Sequence, residues 1–278
     1  MSGFSASDAA LEGFQVLRRH WRVVAGWAAF NLLAMICLVV MTVIVAFVTA
    51  ALVGSGADAS NLSSMLGGVT GAVGAFMVWT IMMGGLYRLM MRPNEPAFLY
   101  LRLGADEMRL LALALILLIG LVVLSTGAGV AGRSAQPFAG WAPVVIDLAA
   151  TVAGVWLALR LAVAGPATFA RQRFDLGSAW KLTRGHVPAL LGMLLLVLCV
   201  CAMIAVVGWL LLFTVMGVTT GFGGLMEVLS GQDRSAPLVY ILGIAAQLLF
   251  APILWVISGA PAVAAYLALT EAPTETLT

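Results

Sequence analysis

What most constrains this chain is a run from Val23 to Val53 that contains no charged residue. A helix needs about 20 apolar residues to cross the hydrocarbon core of a bilayer, and a longer stretch without a solvated face has no place in a soluble domain. Comparable runs recur, giving expected spans at about 23–53, 67–91, 106–132, 143–166, 188–218 and 238–269. Composition agrees: 63% of residues are hydrophobic and 9% charged, against about 45–50% and about 25% in soluble domains. The expected fold is all-α, a polytopic membrane protein whose six transmembrane helices form one integral membrane domain over residues 1–278. Spans use up most of these residues, which leaves no room among them for a separate soluble catalytic domain. The first run is about twice as long as the ~7–15-residue core of a secretion signal and is expected to remain as the first span.

Short amphipathic pieces are expected before the odd-numbered spans. From Ser7 to Arg22, Leu11, Phe14, Leu17 and Trp21 recur at helical spacing with Asp8, Glu12, Gln15 and Arg19 between them, the pattern of a helix lying in the headgroup layer. Asn94 is placed to cap a short helix begun by Glu95 and Pro96, with Phe98, Tyr100 and Leu101 at the interface. Asp106 and Glu107 then occupy the first turn of the third span, where the positive end of the helix favours acids. The third piece covers about Asp175 to Arg184, between Arg160 and Pro166 at the end of one span and Gly185 and Pro188 at the start of the next.

Charge distribution sets the orientation. Arg18, Arg19 and Arg22 precede the first span; Arg88, Arg92, Arg102 and Arg109 lie around the turn from the end of the second span to the start of the third; Arg171, Arg173, Lys181 and Arg184 lie between the fourth and fifth. Only Arg133 and Arg234 fall on the opposite side. Basic residues collect on the cytoplasmic face, so both termini are expected there. A weak internal repeat runs parallel to this: Phe14-x-Val16-x-Arg18-x-His20 matches Trp180-x-Leu182-x-Arg184-x-His186, and Leu101-x-Leu103 with Arg109 resembles the first unit. It divides the chain into three units, each an interfacial helix followed by two spans.

The stretch Arg160-Leu161 with Pro166, then Ser178-Ala-Trp-Lys-Leu-Thr-Arg-Gly185 leading into Leu190-Leu191-Gly192, resembles the membrane domain found beside some bacterial glycerophosphodiester phosphodiesterases, and related six-span inner-membrane proteins with no assigned role. The resemblance covers about a ninth of the chain. It implies a helical module of the bacterial inner membrane and carries over no activity, since the phosphodiesterase domain with its acid-and-His metal site is not in this sequence.

Groups that titrate or ligate are few. His20 and His186 both border arginines at span ends, and Cys37, Cys199 and Cys201 sit in apolar runs as packing residues. There is no H-E-x-x-H, G-x-S-x-G or P-loop pattern. No catalytic residue, metal site or cofactor is expected, and nucleic-acid binding is excluded because topology accounts for the basic residues. No acid or His falls at mid-span, which argues against a proton-coupled pump. Arg160, inside the fourth span close to its inner end, is the best candidate contact for a lipid or substrate, joined by Lys181, Arg184, His186 and Gln247. Asn31 and Gln247 suit hydrogen bonds between helices, and Pro252 suits a kink in the last span. The leading expectation is a non-enzymatic inner-membrane scaffold or accessory protein that contacts membrane lipids, a protein partner or a second copy. The alternative is a transporter or flippase of a lipid-like substrate, motivated by Arg160, Gln247 and Pro252.

Overall fold

The structure, a computed structural model, describes residues 5–53, 56–94, 98–137, 139–229 and 237–271. Its described residues are all helical or connecting segments: α1 (Ala6–Arg19), α2 (Trp21–Val53), α3 (Ala57–Met91), a 3-10 turn (Phe98–Tyr100), α4 (Ala105–Ala135), α5 (Ala142–Leu161), α6 (Ala164–Arg171), α7 (Leu176–Leu182), α8 (Val187–Leu229) and α9 (Pro237–Glu271). Among the described residues, six stretches are long and apolar enough to cross a membrane: Trp21–Val53, Ser60–Met91, Phe98–Ala135, Ala142–Arg171, Val187–Val215 and Gly243–Thr270. Only 6% of the apolar window of the first is buried within the protein, and 39% of that of the last. Side chains such as Phe47 and Leu52, 75% and 81% exposed, are solvated only if hydrocarbon surrounds them. This is a multi-pass membrane protein.

Helix limits differ from expectation in three places. The polar stretch expected as a loop up to Leu66 is helical from Ala57 onward. The fourth span does not run unbroken to Pro166: α5 stops at Leu161, and Pro166 lies in the first turn of α6, where its missing N–H costs no intrahelical bond. Helix α8 continues past the expected end of the fifth span at about 218, to Leu229. Glu95, Pro96, most of the segment after Leu229 and the acidic tail beyond Glu271 lie outside the described residues.

The chain divides into two compact units. The first comprises residues 84–194 with residues 5–10 and 260–271. In it α4 and α5 pack as a hairpin, α6 packs on α4, and α7 packs on both α5 and α6. Close approach in the hairpin needs Gly132, whose absent Cβ would lie 3.2 Å from the Pro143 Cα.

The second unit comprises residues 11–83 and 195–259. Gly74 faces the Leu38 side chain and Gly67 the Thr42 methyl, so part of the glycine-rich face of α3 serves to let α2 approach. Gly68 and Gly71 face open space. The Asn31 amide, fully buried, donates to the Leu248 carbonyl at 2.6 Å. Leu248 is four residues before Pro252, so its carbonyl is the one that a proline in the helix leaves without an N–H partner. Asn31 on α2 supplies the donor that α9 lacks. We expect Asn31→Leu to lower stability by about 0.6–1.7 kcal/mol, the range of interhelical hydrogen bonds in membranes. Pro252→Ala in the same chain should restore most of that loss; equal losses with and without Pro252→Ala, in denaturant titrations in detergent, would show that the two residues are uncoupled.

Candidate functional site

Two polar clusters stand out in the first unit, and they differ in one respect that decides between them. The first is built on Arg88, which lies in the apolar run Gly84-Gly-Leu-Tyr-Arg-Leu of α3 and is only 2% exposed. Its guanidinium pairs with the Glu107 carboxylate and donates to the Tyr100 carbonyl at 2.7 Å. The other Glu107 oxygen accepts the Gly104 amide at 3.0 Å, a capping contact at the start of α4. Gly84 makes room for this carboxylate, since a Cβ there would lie 2.9 Å from Glu107 Oε1. Around the pair, Arg92 stacks over Phe169 with 5.0 Å to the ring centroid and lies 3.6 Å from Asp106, which also pairs with Arg109 at 2.7 Å. Each arginine here lies against an acid, Arg92 and Arg109 sharing Asp106. The cluster is a structural lock, and sequence reasoning missed it by treating Arg88 as a span-end marker and Glu107 as an acid serving the helix end alone. A signal was present: Arg88 has Gly84 one helical turn before it, the arrangement that lets a neighbouring element reach the backbone beside a buried charge.

The second cluster is the corner where α5 meets α7. Asp175 caps α7, its Oδ1 accepting the Ser178 amide at 2.9 Å and its Oδ2 pairing with Arg171 at 2.6 Å. At the other end of α7 the Thr183 hydroxyl lies 2.9 Å from the Ala179 carbonyl and 3.1 Å from that of Arg160. It thereby ties α7 to one of the last carbonyls of α5, which have no intrahelical donor. Gly185, at φ +90°, makes the turn into α8 in a backbone region that side chains disfavour.

This geometry places Trp180 beside the last turn of α5. The Arg160 guanidinium lies against two rings, 5.5 Å from the Trp156 centroid and 5.2 Å from that of Trp180. The rings meet edge to face at 5.1 Å. The Arg160 Nε and Nη1 atoms are buried and have no hydrogen-bond partner among the described residues. Lys181, Arg184 and His186 are exposed on the same segment, and none has a side-chain hydrogen bond or ion pair there. Thus the structure joins Arg160 to Trp180 and Thr183, and leaves Lys181, Arg184 and His186 as open neighbours of that contact. Gln247 belongs to the second unit, is exposed and has no side-chain hydrogen bond among the described residues; its expected interhelical bond is not made, whereas that of Asn31 is.

No protein-family model, curated protein or solved structure matches this chain. The corner therefore has to be read from its own chemistry. Arg160 lies against two indoles, Lys181 and Arg184 are exposed on the adjoining segment, and none of these three cations pairs with an acid among the described residues, which suits binding of an anion.

The cap of α7 also sets a pH dependence. The Ser178 amide, and after it the Arg171 guanidinium, hold the Asp175 carboxyl below the ordinary carboxylate range. A carboxylate whose folded pKa is depressed stabilises the fold above its unfolded pKa, about 3.9, and that contribution disappears as pH falls through the lower folded value. Amide exchange at Ser178 and Ala179 should stay slow above about pH 4 and lose that protection below it. In Asp175→Ala the protection should be absent at every pH; unchanged protection in the variant would mean that the side chain does not hold α7.

Proposed function

We infer that this chain is a non-enzymatic integral protein of a bacterial inner membrane, with both termini cytoplasmic, that acts as a scaffold or accessory protein through its basic cytoplasmic corners. One observation carries the reading. In the first unit Arg88, Arg92, Arg109, Arg171 and Arg173 each lie against an acid, whereas Arg102, Arg133, Arg160, Lys181 and Arg184 have none among the described residues, and three of these five belong to the corner of α5 and α7. Charge left uncompensated beside indole rings at a span end attracts anionic headgroups.

The interfacial role of the short helices belongs to the same reading. Helix α1 buries the small stripe Ala9, Ala10 and Val16 and leaves Leu11 and Phe14 exposed, with Trp21 exposed at the start of α2, an apolar edge suited to the acyl boundary. Helix α7 carries the exposed Trp180, and the 3-10 turn before α4 carries Phe98, 78% exposed. These three pieces are the leading parts of the threefold repeat, and kinship with the membrane modules of glycerophosphodiester phosphodiesterases would extend it.

Native mass spectrometry of the gently solubilised protein tests this. Anionic phospholipid should be retained over zwitterionic lipid, and Lys181→Ala with Arg184→Ala should weaken that preference by about fivefold per charge, as expected for about 1 kcal/mol each. Hydrolysis or group transfer by the purified protein, abolished by changing one polar residue of the corner, would overturn the reading. Movement of a labelled lipid between vesicle leaflets that depends on Arg160 and Gln247 would replace it with the flippase alternative.

A further inference from the structure

We propose that the corner of α5 and α7 is a binding site for one anionic phospholipid, with its phosphate on the Arg160 guanidinium and one acyl chain along α5. The inference rests on the lipid-directed reading above and specifies its site, stoichiometry and ligand.

The headgroup half follows from what Arg160 lacks. Trp156 and Trp180 lie against its guanidinium and limit its movement. Two of its donor atoms, Nε and Nη1, are shielded and unpartnered among the described residues. Buried donors and a charge without an acceptor are unfavourable until one arrives. The planar fork of a guanidinium matches two oxygens of a phosphate. Lys181 and Arg184 stand in the next turn of chain with no acid of their own and add to the preference for an anion.

The chain half follows from a second, independent feature. An open groove of about 530 Å3 runs along α5, lined by Val145, Leu148, Ala149, Val152, Ala153 and Trp156. These positions recur every three or four residues and so form one face of the helix. The exposed Ala149 and Ala153 give that face its depression. From Val145 to Trp156 the groove extends about 16 Å at 1.5 Å per residue, about half of the ~30 Å hydrocarbon core and enough for much of an acyl chain. It ends at Trp156, the ring that lies against Arg160. An anion site and an apolar groove that share one indole fit a lipid phosphate, whereas a free phosphate would use only the first and a neutral lipid only the second.

The full chain, delipidated in detergent, is titrated by native mass spectrometry with phosphatidylglycerol, phosphatidylcholine and inorganic phosphate. One phosphatidylglycerol should bind at least about tenfold more tightly than phosphatidylcholine, the scale of a hydrogen-bonded charge, and inorganic phosphate should not displace it. Arg160→Gln should remove the preference, and Arg160→Lys should restore only part of it because the fork is lost. Ala153→Trp, which fills the groove, should weaken both lipids alike and leave their ratio unchanged. Each variant is compared at equal thermal midpoint, so that unfolding is not read as lost binding. A preference for phosphatidylglycerol that survives Arg160→Gln yet falls in the Lys181→Ala, Arg184→Ala variant overturns this site and leaves the wider reading standing. No preference for phosphatidylglycerol in the wild type overturns both. Displacement by inorganic phosphate makes the site one for a free anion and overturns the lipid assignment.

Discussion

Glu107→Gln is expected to lower the stability of the detergent-solubilised protein by about 3–5 kcal/mol, the cost of leaving a buried charge without its partner. The substitution keeps size and shape, but glutamine has one acceptor oxygen where Arg88 and Gly104 both donate, so its NH2 group faces one of the two donors and the loss combines the missing charge with one missing acceptor. Arg88 is 2% exposed and Glu107 1%, which leaves no path for the guanidinium to reach water. Arg88→Met in the same chain should recover most of the loss, since replacing both members of a buried pair by uncharged groups is often neutral. Recovery should stop short by about 1 kcal/mol, the net worth of one hydrogen bond, because Arg88 also donates to the Tyr100 carbonyl. That bond holds a turn in which Leu99 and Tyr100 sit at φ +52° and +61°, a region unfavourable for side-chain-bearing residues. Denaturant titrations of the four chains decide it: losses that add, with no recovery in the double variant, would mean that the pair is not coupled.

The same pair marks the boundary of what the sequence made legible. Apolar length is a property of each segment alone, so the six membrane-crossing helices followed from counting. Caps were legible too: Asp175 and Gly185 bracket α7 as local rules require, because a cap and the helix it serves are adjacent in sequence. Arg88 and Glu107 are 19 positions apart on different helices, and nothing in either segment says that those helices touch. Arg160 lies between these cases. An arginine in a span is conspicuous in sequence, and Trp156 four residues before it shares its helix face, so half of the clamp was readable. Trp180 was not, since its approach depends on Thr183 binding the Arg160 carbonyl, a tertiary contact. With Asn31 the sequence told which carbonyl Pro252 frees and left open which side chain would satisfy it.

Gly13→Ala tests a contact of the other kind, one between backbones. In the second unit a Cβ at Gly13 would lie 2.6 Å from the Ile257 Cα and 2.9 Å from its carbonyl oxygen. Alanine in the interior of a helix gains about 1 kcal/mol over glycine, so propensity alone would make the substitution stabilising. The clash outweighs it. Ile257 is 1% exposed and lies within α9, and the atoms in the way are main chain, which no rotamer change can move aside. Helix α1 must then lift from α9, at a net cost of about 1–3 kcal/mol, the range for overpacked interiors. Gly120→Ala, where a Cβ meets nothing within 4 Å, is the control and should be neutral or slightly stabilising. Limited proteolysis in detergent gives a local readout beside the melting midpoint: Gly13→Ala should expose cleavage at Arg18 and Arg19, at the end of α1, before the spans are cut. A Gly13→Ala chain as stable and as protease-resistant as the Gly120→Ala control would show that α1 is not held at this contact.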